Sequence, residues 1–274
     1  MNKNKKTLIK ISVGFAILPF LILPSLFFIN NKQTNLNLIR PQGFDVFDNL
    51  NNDKEVITKK LLNALVEAVF GDDKVKQQDF VKNQDENKEQ LFKQVKELTN
   101  KYKKSKEQND LKNLKEFYST NWLFFLKNLD KFELQFIEYW KLESKNGKEM
   151  HSDSFLNALK NKQKPFANYS FLNNNLEQIH RGSETEDLTD LSVFYLKKEK
   201  FIIRTIIDNK NRKLNIDKFI LFYESPINRI TIPTISNAIH IGVFHNQKDG
   251  YESFEKNIVG AYGYAWDGIL LLKE

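Results

Sequence analysis

No cysteine occurs anywhere in the 274-residue chain. That absence excludes disulfides, thiolate metal sites, iron–sulfur clusters, cysteine nucleophiles and any lipid attached at a cysteine. Four histidines leave little room for His-rich metal chemistry, and only 5 arginines stand against 37 lysines. There is no zinc-finger spacing, no RNP-like aromatic strand and no compact arginine cluster, so nucleic acid is not an expected partner. Nucleotide loops of the GxGxxG or GxxxxGK[ST] type, the HExxH zinc motif and the GxSxG elbow are all missing. No catalytic residue, cofactor site or metal site is assigned, and the chain is read as a non-enzyme.

What is present begins with charge. The formal net charge is +7, but Lys3, Lys5, Lys6 and Lys10 supply four of those charges and leave +3 for the rest. Residues 11–29 (ISVGFAILPFLILPSLFFI) then carry no charge over a length of roughly 28 Å as helix, about one bilayer core. The basic block before them predicts a cytoplasmic N-terminus, a single-pass transmembrane helix over 11–29 and an extracellular remainder. The bilayer is then a partner through 11–29; a cleaved secretory signal is the alternative. The 31 asparagines and the lysine bias match the codon usage of an AT-rich genome.

Residues 30–52 read as a juxtamembrane linker. From about Asp53, Ile57, Leu61, Leu62, Leu65, Val66, Val69 and Phe70 recur at helical spacing, and Gly71 is placed to end the helix. Lys76–Tyr102 is a second amphipathic stretch with a polar middle over Lys82–Gln90. Asp110 is a candidate cap for a third helix. The densest feature is 118–140 (YSTNWLFFLKNLDKFELQFIEYW). Its apolar residues fall at three- and four-residue steps and predict one broad helical stripe. Tyr118, Asn121, Trp122, Phe125, Phe132, Phe136, Tyr139 and Trp140 are the candidate cluster, either as core or as a pocket or partner-binding patch; composition does not separate the two. A helical stretch around Phe155, Leu156 and Leu159 follows, closed by Pro165.

Past His180 the pattern changes. Leu191–Leu196, Phe201–Ile207 and Ile216–Tyr223, punctuated by polar turns, read as antiparallel hairpins, with Arg229–Pro233 as an added edge strand. Ser236–Phe244 and Tyr251–Tyr262 read as helical, and the tail YGYAWDGILLL as buried or paired. The fold class is α+β: an N-terminal transmembrane helix, a mainly helical region over 53–180, and an α+β region over 181–274 with a small antiparallel sheet and terminal helices. Two polar groups come up and are set aside. His240 and His245, drawn with Glu252 and Glu255, are five residues apart, poor spacing for one face of an α-helix. His180, Glu184, Glu186 and Asp187 read as a solvated acidic loop.

The basic start and apolar segment, VFG near residue 70, YSTNW…FFLKNLDKF…FIEYW and IHRGSETEDLTDLSVFYLKKEKFIIR together resemble the aromatic-motif (aromatic-cluster) surface proteins of mycoplasmas. The resemblance covers nearly the whole chain, and the aromatic block is its most specific part. Many such proteins begin with a lipoprotein-type signal; a chain without cysteine departs from that. The resemblance implies exposure at the outer surface of a wall-less cell and no particular reaction. It makes Tyr118, Asn121, Trp122, Phe132, Phe136, Tyr139 and Trp140 family markers rather than known functional residues. The expected function is a membrane-anchored extracytoplasmic binding or interaction module, its partner a host macromolecule or another surface protein. The alternatives are a structural surface protein without a ligand pocket, a hydrolase, or a solute-uptake accessory protein.

Overall fold

The computed structural model describes residues 53–274 apart from 144–146, 165–167, 189, 223–230 and 246–249. Four helices come first: α1 (Lys54–Phe70), α2 (Lys74–Glu86), α3 (Lys88–Ser105) and α4 (Gln108–Thr120). Asp53 caps α1, its side chain accepting from the Glu55 N–H. Gly71 closes it at φ +61°, a left-handed conformation that favours glycine. The polar stretch 82–90 is broken by a turn at Asn87 between α2 and α3. Helix α4 begins two residues before Asp110, whose buried carboxylate accepts from Ser105 Oγ at 2.6 Å and pairs with Lys101 at 2.8 Å.

The block 118–140 is not one helix. After α4 the chain forms α5 (Trp122–Lys127), a 3₁₀ turn (Leu129–Lys131) and strand β1 (Phe132–Tyr139). The breaks fall on asparagines. Asn121 Nδ2 donates to the Phe117 carbonyl at 3.2 Å, and Asn128 Nδ2 to the Phe124 carbonyl at 2.7 Å. At Asn128 the side chain takes the carbonyl that a continuing helix would use, and the backbone N–H turns to Phe125 instead; at Asn121 side chain and backbone share the Phe117 carbonyl. Past them Phe132 and Leu134 alternate with half-buried residues, a strand pattern inside the three- and four-residue spacing.

The remaining elements are α6 (Asp153–Lys160), β2 (Asn168–Ser170), β3 (Gln178–Arg181), a 3₁₀ turn (Ser183–Asp187), β4 (Leu191–Lys198), β5 (Phe201–Asp208), β6 (Lys213–Phe222), α7 (Ile232–Ile239), a π-helical segment (His240–His245), α8 (Gly250–Phe254), a π-helical turn (Glu255–Val259), α9 (Gly260–Tyr262) and β7 (Ala265–Leu272). Seven strands form one antiparallel sheet in the order β2-β1-β7-β6-β5-β4-β3. Three of them, β1 to β3, come wholly or mostly from the region expected to be helical. The C-terminal β7 lies in the middle of the sheet, between β1 and β6. The described part of the expected edge strand 229–233 is not a strand: Thr231 caps α7, and Ile232 and Pro233 open it, where proline's missing N–H costs nothing.

The sheet carries two cores. Phe194, Leu196, Phe201, Ile203, Ile207 and Leu221 pack with α1 to α5. Val193, Tyr195, Ile202 and Ile220, which alternate with them, pack with Ile232, Ile235, Phe254 and Ile258 of the C-terminal helical segments. This is the period-two alternation of strands buried on both faces.

Strands β6 and β7 pair only at Leu221–Trp266 and Phe222–Ala265. Beyond that short ladder, side chains take over. The Phe219 N–H donates to Asp267 Oδ1 at 2.7 Å, and the Tyr118 hydroxyl of α4 donates to the Leu270 carbonyl. Backbone groups that would be costly to bury unpaired are thereby satisfied.

The mixed α+β class with an antiparallel sheet stands, and its membrane part is corrected. The expected span 11–29, with the tail 1–10 and linker 30–52, lies outside the described residues. Among the described residues no helix is long and apolar enough to cross a membrane. Membrane anchoring, the bilayer as partner and the single-pass localisation have no structural element behind them among the described residues.

Candidate functional site

The eight candidate residues of 118–140 are dispersed between the two cores. Tyr118, Trp122, Phe125 and Phe132 are each 2% exposed or less. Phe125 stands at their centre, edge-on to Tyr118 at 4.5 Å and tilted against Phe132 at 4.9 Å. Trp122 stacks on Phe80 of α2 at 5.2 Å. Phe136 and Tyr139 are half-buried, and the Tyr139 hydroxyl donates to the Gln163 carbonyl. Trp140 belongs to the other core, edge-on to Phe254 at 5.3 Å. Asn121 is buried, and its Oδ1 accepts from Gln84 Nε2 at 3.2 Å.

Surface grooves adjoin this region without being lined by its rings. One of about 790 Å³ runs past Lys59, Asp85, Lys127, Asp130 and Asn173. Another, of about 720 Å³, lies between α3 and α4 and touches Phe117 and Asn121 among Glu97, Lys101 and Glu116. Of the eight candidates only Asn121 borders either groove.

A second constellation, missed in the sequence, sits on the opposite face of the sheet. The segment read as a solvated acidic loop is the 3₁₀ turn Ser183–Asp187, and its Glu184 is fully buried. The Glu184 carboxylate accepts from the Tyr195 hydroxyl at 2.5 Å, Ser236 Oγ at 2.8 Å and Arg204 Nη2 at 3.3 Å. Arg204 also donates to Asp217 at 2.5 Å and to the Tyr195 oxygen at 3.2 Å. Burial, reinforced by Glu184, raises the Tyr195 pKa well above its ordinary value. For Arg204 burial works against the charge, but the carboxylates of Asp217 and Glu184 outweigh it and the pKa rises. The group is therefore a buried ion pair with a neutral phenol donating into it, and this suits holding elements together. Gly182 is required here, because a Cβ would lie 2.5 Å from Glu184 Oε2.

Beside it lie the histidines. Glu255, drawn on sequence with His240 and His245, is engaged elsewhere: it accepts from Ser152 N and Oγ at 2.8 and 2.7 Å and lies 3.1 Å from His151 Nδ1. Burial lowers the His151 pKa against the pull of Glu255. Asp187 replaces Glu255 at the other pair. Its Oδ2 is 3.0 Å from His240 Nδ1 and 3.6 Å from His245 Nε2, and the two Nε2 atoms are 2.7 Å apart. His180 is buried on β3, its pKa lowered by burial despite Glu184.

A family model described as "Aromatic cluster surface protein" matches residues 21–264. The chain belongs to this family. No curated protein and no solved structure gives a match. The surface-protein description carries no reaction, and membership in the aromatic-cluster family supports a non-enzymatic role.

Proposed function

We propose that this aromatic-cluster protein is a structural surface domain in which the cluster holds the fold and forms no ligand pocket. The observation that carries the reading is the burial of Trp122, Phe125 and Phe132 at 2% exposure or less, with the neighbouring grooves lined chiefly by charged and amide side chains. Aromatic rings packed edge-to-face or tilted at 4.5–5.3 Å supply large apolar area and directional contacts to a core. A binding patch would instead offer rings to solvent.

The test is truncation. Phe125→Ala and Phe132→Ala are each expected to cost about 3–5 kcal/mol in urea unfolding of the full chain. Either variant unfolding at the wild-type midpoint would mean that its ring is not needed for packing, and would overturn the reading.

A further inference from the structure

We propose that Asp187, His240 and His245 form a binding site for a divalent transition-metal ion of the zinc class. This goes beyond the structural role of the aromatic cluster and rests on a different part of the molecule.

The argument starts with helix geometry. Five residues separate the histidines, which on an α-helix turns the second side chain well away from the first. Residues His240–His245 form a π-helical segment, however. Its hydrogen bonds join residues five apart, so positions 240 and 245 stand nearly above one another. The ring nitrogens accordingly meet at 2.7 Å. Single π-helical turns are rare and are frequent at functional sites.

The third donor arrives from another element. Asp187 ends the 3₁₀ turn 183–187, which is pinned to α7 by Ser183 N donating to Ser236 Oγ at 2.7 Å and by Ser236 Oγ donating to the buried Glu184. The turn and the π-helical segment are thus held in a fixed relation by contacts that do not involve the three donors. One oxygen of Asp187 and one nitrogen from each ring all lie within 4.8 Å of one another. Ligand atoms about 2.0–2.1 Å from a tetrahedral metal stand about 3.3 Å apart, and the separations of Asp187 Oδ2 from His240 Nδ1 (3.0 Å) and from His245 Nε2 (3.6 Å) bracket that value.

A hydrogen bond between the two Nε2 atoms accounts for the 2.7 Å contact of the rings but leaves the second nitrogen of His240 unexplained. His240 Nδ1 is buried and 3.0 Å from Asp187 Oδ2, yet it makes no well-aligned hydrogen bond among the described residues. Two imidazoles and one carboxylate are the donor set of zinc and neighbouring first-row ions; calcium and magnesium prefer oxygen alone. The His245 side chain is 56% exposed, which gives the ion a path in and leaves a coordination position to water.

The test uses the tag-free full chain, titrated calorimetrically with Zn²⁺ and followed optically with Co²⁺. One ion per chain is expected, with the visible bands of four-coordinate Co²⁺. His245→Ala removes an exposed side chain and is expected to leave the circular dichroism spectrum unchanged while weakening Zn²⁺ binding by about 100-fold or more, since loss of even an outer partner of a ligand costs 10–100-fold. Asp187→Asn is expected to act in the same direction. Glu252→Gln, outside the trio, is expected to leave the affinity as it was. The proposal is overturned if the wild type takes up no stoichiometric Zn²⁺, if His245→Ala binds as tightly as the wild type, or if Glu252→Gln abolishes binding.

Discussion

The two faces of the sheet are held by different chemistry. On the α1–α5 face Trp122, Phe124, Phe125 and Phe132 close a large aromatic core, and its buried polar groups, such as Gln84, Asn121 and Asn128, are mostly amides. On the other face apolar packing shares the space with Glu184, Arg204, Tyr195, Ser236 and the Asp187–His240–His245 trio. An apolar core needs volume and tolerates approximate partners. A buried polar group tolerates no missing partner, and so fixes which loop meets which helix. The difference teaches that the aromatic signature lies mostly on one face, Trp140 excepted, while the buried ion pair of the other face comes from an acidic segment that looks solvated.

The sharpest way to break this contrast is to remove the anion at the centre of the polar face. Glu184→Ala leaves Arg204 buried with Asp217 as its remaining carboxylate, and the Tyr195 hydroxyl without its acceptor. The expected cost is about 3 kcal/mol or more, near that of losing one partner of a buried ion pair. Glu184→Gln keeps an acceptor and should cost less. A urea midpoint unchanged in Glu184→Ala would make the polar face as replaceable as surface.

Asp267 tests the boundary where β6 and β7 part. Burial pushes its pKa from the ordinary 3.8 up to about 6, against the opposing pull of Lys218 at 3.8 Å and the N–H groups of Phe219 and Gly268. Since the folded value exceeds the unfolded one, the native state holds the extra proton between about pH 4 and 6. Stability from this group is therefore greatest below pH 4, falls as pH rises through that window, and stays reduced above it, by about 3 kcal/mol in all. Asp267→Asn keeps the acceptor oxygen and cannot ionise. The variant is expected to be the more stable protein at pH 7, its advantage shrinking steadily toward pH 4. An advantage independent of pH would show that Asp267 does not titrate with folding.

Much of the fold was legible because local rules governed it. The apolar spacing from Ile57 to Phe70, Gly71 as a stop and the three hairpin strands all depend on neighbours within a few residues. The block 118–140 misled because Phe132 and Leu134 fit helical and strand periods alike, and the choice is made by β7, more than 120 residues away. The metal trio escaped for a related reason: a five-residue spacing excludes a shared face only if the helix is an α-helix. Glu184 gave no signal at all, since nothing in GSETED distinguishes the one carboxylate that turns inward.

Tyr118 carries a smaller test of the apolar face. Its hydroxyl is the polar contact of an otherwise apolar side chain, donating to the Leu270 carbonyl of β7. Tyr118→Phe keeps the ring and leaves that buried carbonyl without its donor, at an expected cost of about 1–2 kcal/mol in urea unfolding. A neutral outcome would mean that the sheet re-pairs where β6 and β7 separate.

The smallest expected effect concerns whether the faces act independently. Ser236→Ala removes one donor to Glu184, and Tyr118→Phe removes one donor to β7; the two side chains share no partner and lie on opposite sides of the sheet. Their destabilisations should add to within about 0.5 kcal/mol in a double-mutant cycle. Ser236→Ala with Glu184→Gln, by contrast, alters two ends of one hydrogen bond and should depart from additivity by more than that. A coupling across the sheet as large as the one within the polar cluster would mean that the strands transmit strain between the two cores. The aromatic face would then help to position Asp187 and the histidines rather than merely carry the fold they stand on.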